Sequence, residues 1–177
     1  MKLSHKEKEI FYKKNSIGKF ISFGAIFTSI SVIFQSAPVF LPAIGLVISP
    51  FSTLPVALAA SYSITLGMAV YISTALLLAF VYVQESVIFL FTTGLIGLAT
   101  GSFLFRKGIT ISVLISSILL SLGMFVLTVL MEIKVFGDLT SSLTLPIIFI
   151  LFPLVYVTIW NIGIKKFVRN FNHSIKK

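Results

Sequence analysis

From Phe20 to Gln84 the chain runs 65 residues without a single Lys, Arg, Asp, Glu or His. About a quarter of the residues in a soluble domain are charged, so a run of that length belongs in lipid. The hydrocarbon core of a bilayer is about 30 Å thick and takes roughly 20 residues of apolar helix to cross. The run is too long for one crossing and long enough for three. Three further uncharged stretches follow: Ser86 to Phe105 (20 residues), Gly108 to Met131 (24) and Leu139 to Ile164 (26). Each has the length of one helix. Hydrophobic residues make up 57% of the 177 and charged residues 11%. These proportions exclude an ordinary soluble enzyme, a disordered chain and a nucleic-acid binder.

Charge placement supplies the orientation. Of 14 basic residues, six lie between Met1 and Lys19, five between Lys165 and Lys177, and Arg106 and Lys107 form a short loop. The last, Lys134, shares its loop with Glu132 and Asp138. Basic residues beside spans stay cytoplasmic. With both tails and Arg106 on that side, an even number of spans must separate the first tail from Arg106. Ser86 to Phe105 is one of them, so the 65-residue run must hold an odd number, which is three. The expected fold class is all-α, a polytopic membrane protein with six transmembrane helices and both termini cytoplasmic. The helices are expected near 19–35, 39–60, 64–83, 86–105, 109–131 and 144–165, between basic tails 1–18 and 166–177. Gln35-Ser36-Ala37-Pro38 reads as an outer turn, as do 83–86 and 132–143. Ser61-Tyr62-Ser63 and 105–108 read as inner turns. The first tail reads as a solvated topology signal; 19 residues rich in charge before the first apolar run do not make a convincing cleavable signal peptide. The cell membrane, specifically the bacterial cytoplasmic membrane, is the expected location.

Four of the six prolines fall between Pro38 and Pro55. Each interior proline removes a backbone donor and frees a carbonyl, and in lipid that carbonyl must find a partner. Ser49, Ser52 and Thr53 are placed to serve. Both a broken helix lining a ligand cavity and a kinked helix packed by its neighbours fit this segment. Glu85 is the only acid between Phe20 and Met131. An acid in a bilayer usually marks function, although at a helix start the dipole also favours one. Gln35, Tyr82, Gln84, Glu85, Glu132 and Asp138 are expected at one outer mouth, over an apolar pocket for a small molecule with one or two polar groups.

Small residues form two stripes. Gly97-x-x-x-Gly101 with Gly94 lies on the fourth span. Gly24-x-x-x-Thr28 and Ala25-x-x-x-Ser29 lie on the first. Such spacing lets backbones approach closely in lipid, and on a peripheral helix it can seat another subunit. Trp160 and Asn161, ahead of Lys165 and Lys166, read as interfacial anchors. With no cysteine, with His5 and His173 only in the tails, and with no Walker A or GxSxG pattern, no enzyme chemistry, metal site or cofactor is expected.

The pattern of size, six spans, cytoplasmic ends and a small-residue stripe on the first span resembles the substrate-binding S components of energy-coupling factor (ECF) transporters. The resemblance implies a subunit that captures a small, vitamin-like nutrient near the outer face, under the loops holding Gln35, Gln84-Glu85 and Glu132 to Asp138. It also implies a transmembrane T subunit docked on Ala25-x-x-x-Ser29, flanked by Gly24 and Thr28, with partner ATPases supplying energy. The expected partners are thus a T subunit, ATPase subunits, a small-molecule ligand and the lipid bilayer, with no nucleic acid. A structural or assembly membrane protein, or a stand-alone carrier coupled through Glu85, are the alternatives.

Overall fold

The computed structural model describes the backbone of residues 5–131 and 145–175, and the side chains of 17–129, 131 and 147–169. Among these, all regular structure is helical: α1 His5–Phe40, α2 Pro42–Ile48, a 3-10 turn Ser49–Ser52, α3 Thr53–Tyr62, α4 Ile64–Val81, α5 Val83–Phe91, α6 Thr93–Lys107, α7 Ile109–Phe125, a π-helical turn Val126–Leu130, and α8 Leu145–Ile175. Six stretches are long and apolar enough to cross a membrane: Ile17–Phe40, Pro42–Tyr62, Ile64–Val81, Val83–Lys107, Ile109–Val129 and Ile147–Arg169. Their outward faces carry bare hydrophobic groups, with Phe80 89% exposed and Val47 70% exposed. Such surfaces suit acyl chains, not water. The chain is a multi-pass membrane protein.

Single residues turn the chain. Leu41 leaves the helical conformation (φ −134, ψ 78) because it precedes Pro42, whose ring disfavours it at that position. Ser63 (φ −151, ψ 134) and Tyr82 (φ −160, ψ 112) are extended. Gly108 takes φ +92, which only glycine adopts without strain. Side-chain bonds between neighbouring spans fix their sense. Ser86 donates to Ala75 O and Tyr71 to Leu90 O. In each pair one residue number falls as the other rises, so the third and fourth spans are antiparallel. The bonds from Ser112 to Asn161 and from Ser117 to Pro153 do the same for the fifth and sixth. The Leu41 and Tyr82 turns therefore share one end of the bundle, and Ser63 and Gly108 the other.

The second and fourth spans form the most extensive contact, α3 against α6. Gly97 lies under Thr53 O and Val56, where a Cβ would fall 2.7 Å from the Thr53 oxygen. Gly101 lies one turn on, against Ala57 O and Ala60. The Gly97-x-x-x-Gly101 stripe is thus an internal seam, and it holds two parallel helices close enough for backbone contact. Around it pack Val56, Ala59, Leu66, Val70, Leu78 and Phe89.

The first turn does not lie at Gln35–Pro38. Those residues continue α1, with Gln35 and Ser36 buried, and the turn waits for the Leu41-Pro42 step. Pro38 has no N–H to return to the carbonyl four residues back, and the helix runs only two residues beyond it, to Phe40. Likewise 83–86 is not a loop: α5 starts at Val83 and holds Gln84 and Glu85 in its first turn. The basic tails are not separate from the bundle helices, because α1 extends back to His5 and α8 on to Ile175. The proline-rich segment is tightened, not unwound. Ile48 (φ −83, ψ −38), Ser52 (φ −60, ψ −22) and Thr53 (φ −58, ψ −35) all keep helical dihedrals through the 3-10 turn.

Candidate functional site

Gln35 is the centre of the best-connected polar cluster. Its side chain is 1% exposed and reaches three other segments. The Oε1 atom accepts from Ser52 Oγ and from Thr93 Oγ1, each at 2.8 Å. Nε2 donates to Glu85 Oε2 at 2.9 Å. Two hydroxyl donors fill the two lone pairs of the amide oxygen. The carboxylate fixes which way the amide points, because the flipped amide would set oxygen against oxygen. Ser31, one turn earlier on α1, donates to Ser52 O at 3.2 Å. Pro55 has no N–H to offer the carbonyl three residues back, which is the bond a 3-10 turn would make there. That carbonyl is Ser52's, and the Ser31 hydroxyl supplies a donor.

Each partner of Gln35 lies at an irregularity. Ser52 closes the 3-10 turn of the second span. Thr93 opens α6 just after Thr92, which breaks the fourth span with φ −126 and ψ −95. At the same level Gly123 of α7 lies directly against the Phe91 carbonyl, so the break is seated on a neighbouring backbone. Glu85 is half-buried near the start of α5, with Ser86 beside it tying that helix to α4. One amide thus joins the first span to two interrupted spans and to the only carboxylate among the described side chains.

Of the expected mouth, the structure joins Gln35 and Glu85. Tyr82 and Gln84 are exposed and bond to each other, hydroxyl to Oε1 at 3.3 Å, so they stand apart from the cluster. Glu132 and Asp138 lie outside the described residues. Ser52, Thr93 and Ser31 complete the cluster. Ser52 reads from sequence as a partner for freed carbonyls but gives its hydroxyl to Gln35. Thr93 carries no distinguishing sequence signal beyond following a second threonine.

The first-span stripe divides. Thr28 is 6% exposed, and Gly24 faces Leu66 of α4, whose Cδ1 lies 3.5 Å from where a Cβ would sit. Those two face inward and are not available to a partner, whereas Ala25 and Ser29 are exposed. Asn161 is not the interfacial anchor that the sequence suggests. Asn161 is fully buried; its Oδ1 accepts from Ser112 Oγ at 2.6 Å and its Nδ2 donates to Val157 O at 2.9 Å. The Trp160 ring packs edge-on against Phe51, 5.6 Å between centroids. An amide with both ends satisfied inside the bundle has no need of the interface.

Two cavities among the described residues lie away from Gln35. One, of about 430 Å³, opens between α7 and α8 beside Ser117, Phe125 and Leu154. The other, of about 490 Å³, lies beside Phe23, Tyr62 and Phe167. No family model, curated protein or solved structure matches this chain.

Proposed function

We propose that the protein is the membrane-embedded binding subunit of an uptake system, taking a small polar nutrient from outside the bacterial cytoplasmic membrane. The observation that carries this reading is the Gln35 amide, buried in the bundle and bonded at once to Glu85, Ser52 and Thr93. Polar side chains inside a membrane are costly and concentrate where substrates pass. Interrupted helices meeting at such a point are the usual way a membrane protein presents polar groups to a small ligand. A ligand carrying a donor and an acceptor would take over the bonds that Gln35 and Glu85 now make to each other. The amide would then exchange partners without ever being left bare. In this reading the Leu41 and Tyr82 turns face outward, as the basic residues at the opposite end favour.

The same reading makes Ala25 and Ser29 a docking face. They are exposed small side chains on the first span, while Gly24 and Thr28 hold that helix to α4. A T subunit with its ATPases is the partner of that chemistry, and it removes any need for an energy-coupling residue in this chain.

Native mass spectrometry of the protein, released gently from its own host membrane, tests both parts. A bound molecule of vitamin size is expected on the wild type. Glu85→Ala should weaken its binding tenfold or more, about 1.4 kcal/mol. Ala25→Leu should release the T subunit and leave the ligand in place. A bare wild-type chain, or one carrying only cell-envelope proteins, overturns the uptake reading in favour of a scaffold.

A further inference from the structure

The polar cluster around Gln35 has spent its donors and carries one unpaired charge. Ser52 and Thr93 both give their hydroxyl protons to Gln35 Oε1, which fills the two lone pairs of that oxygen. One N–H of Nε2 goes to Glu85 Oε2. A carboxylate has about four acceptor positions, and among the described residues Glu85 receives this one bond. The donor is a neutral amide. The described cations stand far off. Lys19 precedes Gln35 on α1 by about 24 Å of helix rise, and Arg106 follows Glu85 along the fourth span by about 30 Å. The bond between Ser112 and Asn161 sets Lys165 level with Gly108, at that same far end. An ion pair requires about 4 Å, so none of these neutralises Glu85. A second unmet polar group lies at the Glu85 level. Ser86 donates to Ala75 O, and the preceding Thr74 is fully buried with an Oγ1 that has no partner.

Resting on the uptake reading above, we propose that the molecule taken at this site is a small organic cation. Its ammonium binds Glu85, and an acceptor oxygen beside it takes the Gln35 N–H. An ammonium supplies the missing charge and three N–H donors at once. An anionic ligand would set its charge against Glu85. A neutral one would leave the carboxylate unpaired at the membrane, where charges are costly. A metal such as calcium takes about six to eight oxygens, several of them from carboxylates. Glu85 is the lone carboxylate among the described side chains, and Gln35 Oε1 is already filled.

Ethanolamine, ethylene glycol and glycolate test the charge directly. They share a two-carbon frame with a hydroxyl and carry a positive, no and a negative charge. Each is titrated near pH 7 against the full-length protein in phosphatidylcholine nanodiscs, with binding read by saturation-transfer NMR. Ethanolamine should bind at least about tenfold more tightly than the other two, the margin between a charged and a neutral hydrogen bond. Glu85→Gln keeps an oxygen for the Gln35 amide and removes the charge, so the preference should vanish. Glu85→Asp keeps the charge and should retain it. Equal binding of the three probes, binding of none, or a preference unchanged in Glu85→Gln would overturn the cationic site. The uptake reading fails separately. A neutral or anionic molecule on the host-purified protein would refute the charge class alone, whereas a bare chain would refute uptake itself.

Discussion

Replacing Gln35 by leucine measures what the central amide contributes. The side chains have similar size, so the change removes three hydrogen bonds while nearly conserving packing: two hydroxyl bonds at 2.8 Å and the bond to Glu85 at 2.9 Å. Between membrane helices such bonds average about 0.6 kcal/mol and reach about 1.7. Three of them come to about 2 kcal/mol on the average and roughly 5 at the ceiling. The lower figure applies, because the Ser52 hydroxyl can turn back to the carbonyl four residues earlier. Glu85 is only half-buried, so water satisfies part of its loss. The expected destabilisation is therefore about 2 kcal/mol, read as a shift of the unfolding midpoint when the full chain in mixed micelles is titrated with sodium dodecyl sulfate. A double-mutant cycle with Thr93→Val isolates one bond and should give a coupling of about 0.6–1.7 kcal/mol. A Gln35→Leu midpoint equal to wild type, together with zero coupling to Thr93, would refute the bonded hub.

Gly97→Leu should destabilise the bundle by the upper end of about 1–3 kcal/mol, since its Cβ would press on Thr53 O at 2.7 Å and Val56 Cβ at 2.9 Å. Gly163→Ala, where nothing lies within 4 Å of the added atom, should instead gain up to about 1 kcal/mol of helix propensity; the same unfolding titration separates the two. Ser112→Ala should lose about 0.6–1.7 kcal/mol by releasing Asn161 Oδ1, and a variant as stable as wild type would show that Asn161 does not need this bond. The chain has no cysteine, so single cysteines at Leu41, Ser63, Tyr82 and Gly108 can be probed in whole cells with a membrane-impermeant thiol reagent. Labelling at Leu41 and Tyr82 but not at Ser63 and Gly108 is expected, and the reverse pattern would invert the proposed orientation.

The span count was legible because it rests on a single quantity, the length of uncharged chain against the thickness of hydrocarbon. Each expected helix overlaps a spanning helix, and the differences fall at the ends. The Gln35–Pro38 stretch shows why. Gln, Ser, Ala and Pro together read as a polar turn in any sequence window. In lipid, however, a polar side chain does not need to leave the bilayer if neighbouring helices supply its bonds. Gln35 has such partners on the second and fourth spans, so the helix carries it inside and turns six residues later. The residue that sets the turn, Pro42, acts through backbone sterics at Leu41, an effect independent of hydropathy.

The same reasoning separates what was legible in the site from what was not. Glu85 stands out in sequence because it is alone in more than a hundred residues. Its partner Gln35 reads in sequence as part of an outer turn, so its place near Glu85 is expected and its burial inside the bundle is not. Ser52 and Thr93 do not stand out, since hydroxyl residues recur throughout these helices and several bond only their own backbone, as Thr92 does with Ile88 O at 2.6 Å. What singles out these two is three-dimensional. The Gly97 and Gly101 seam brings α6 against α3, and that packing sets Thr93, one turn before Gly97, level with Ser52, one residue before Thr53. A glycine seam that reads as generic packing is therefore what assembles the polar cluster. It follows that widening the seam should disturb the Gln35 bonds as well as the packing. Gly97→Leu and Gln35→Leu should then be less than additive in stability, because the first already separates the partners that the second removes.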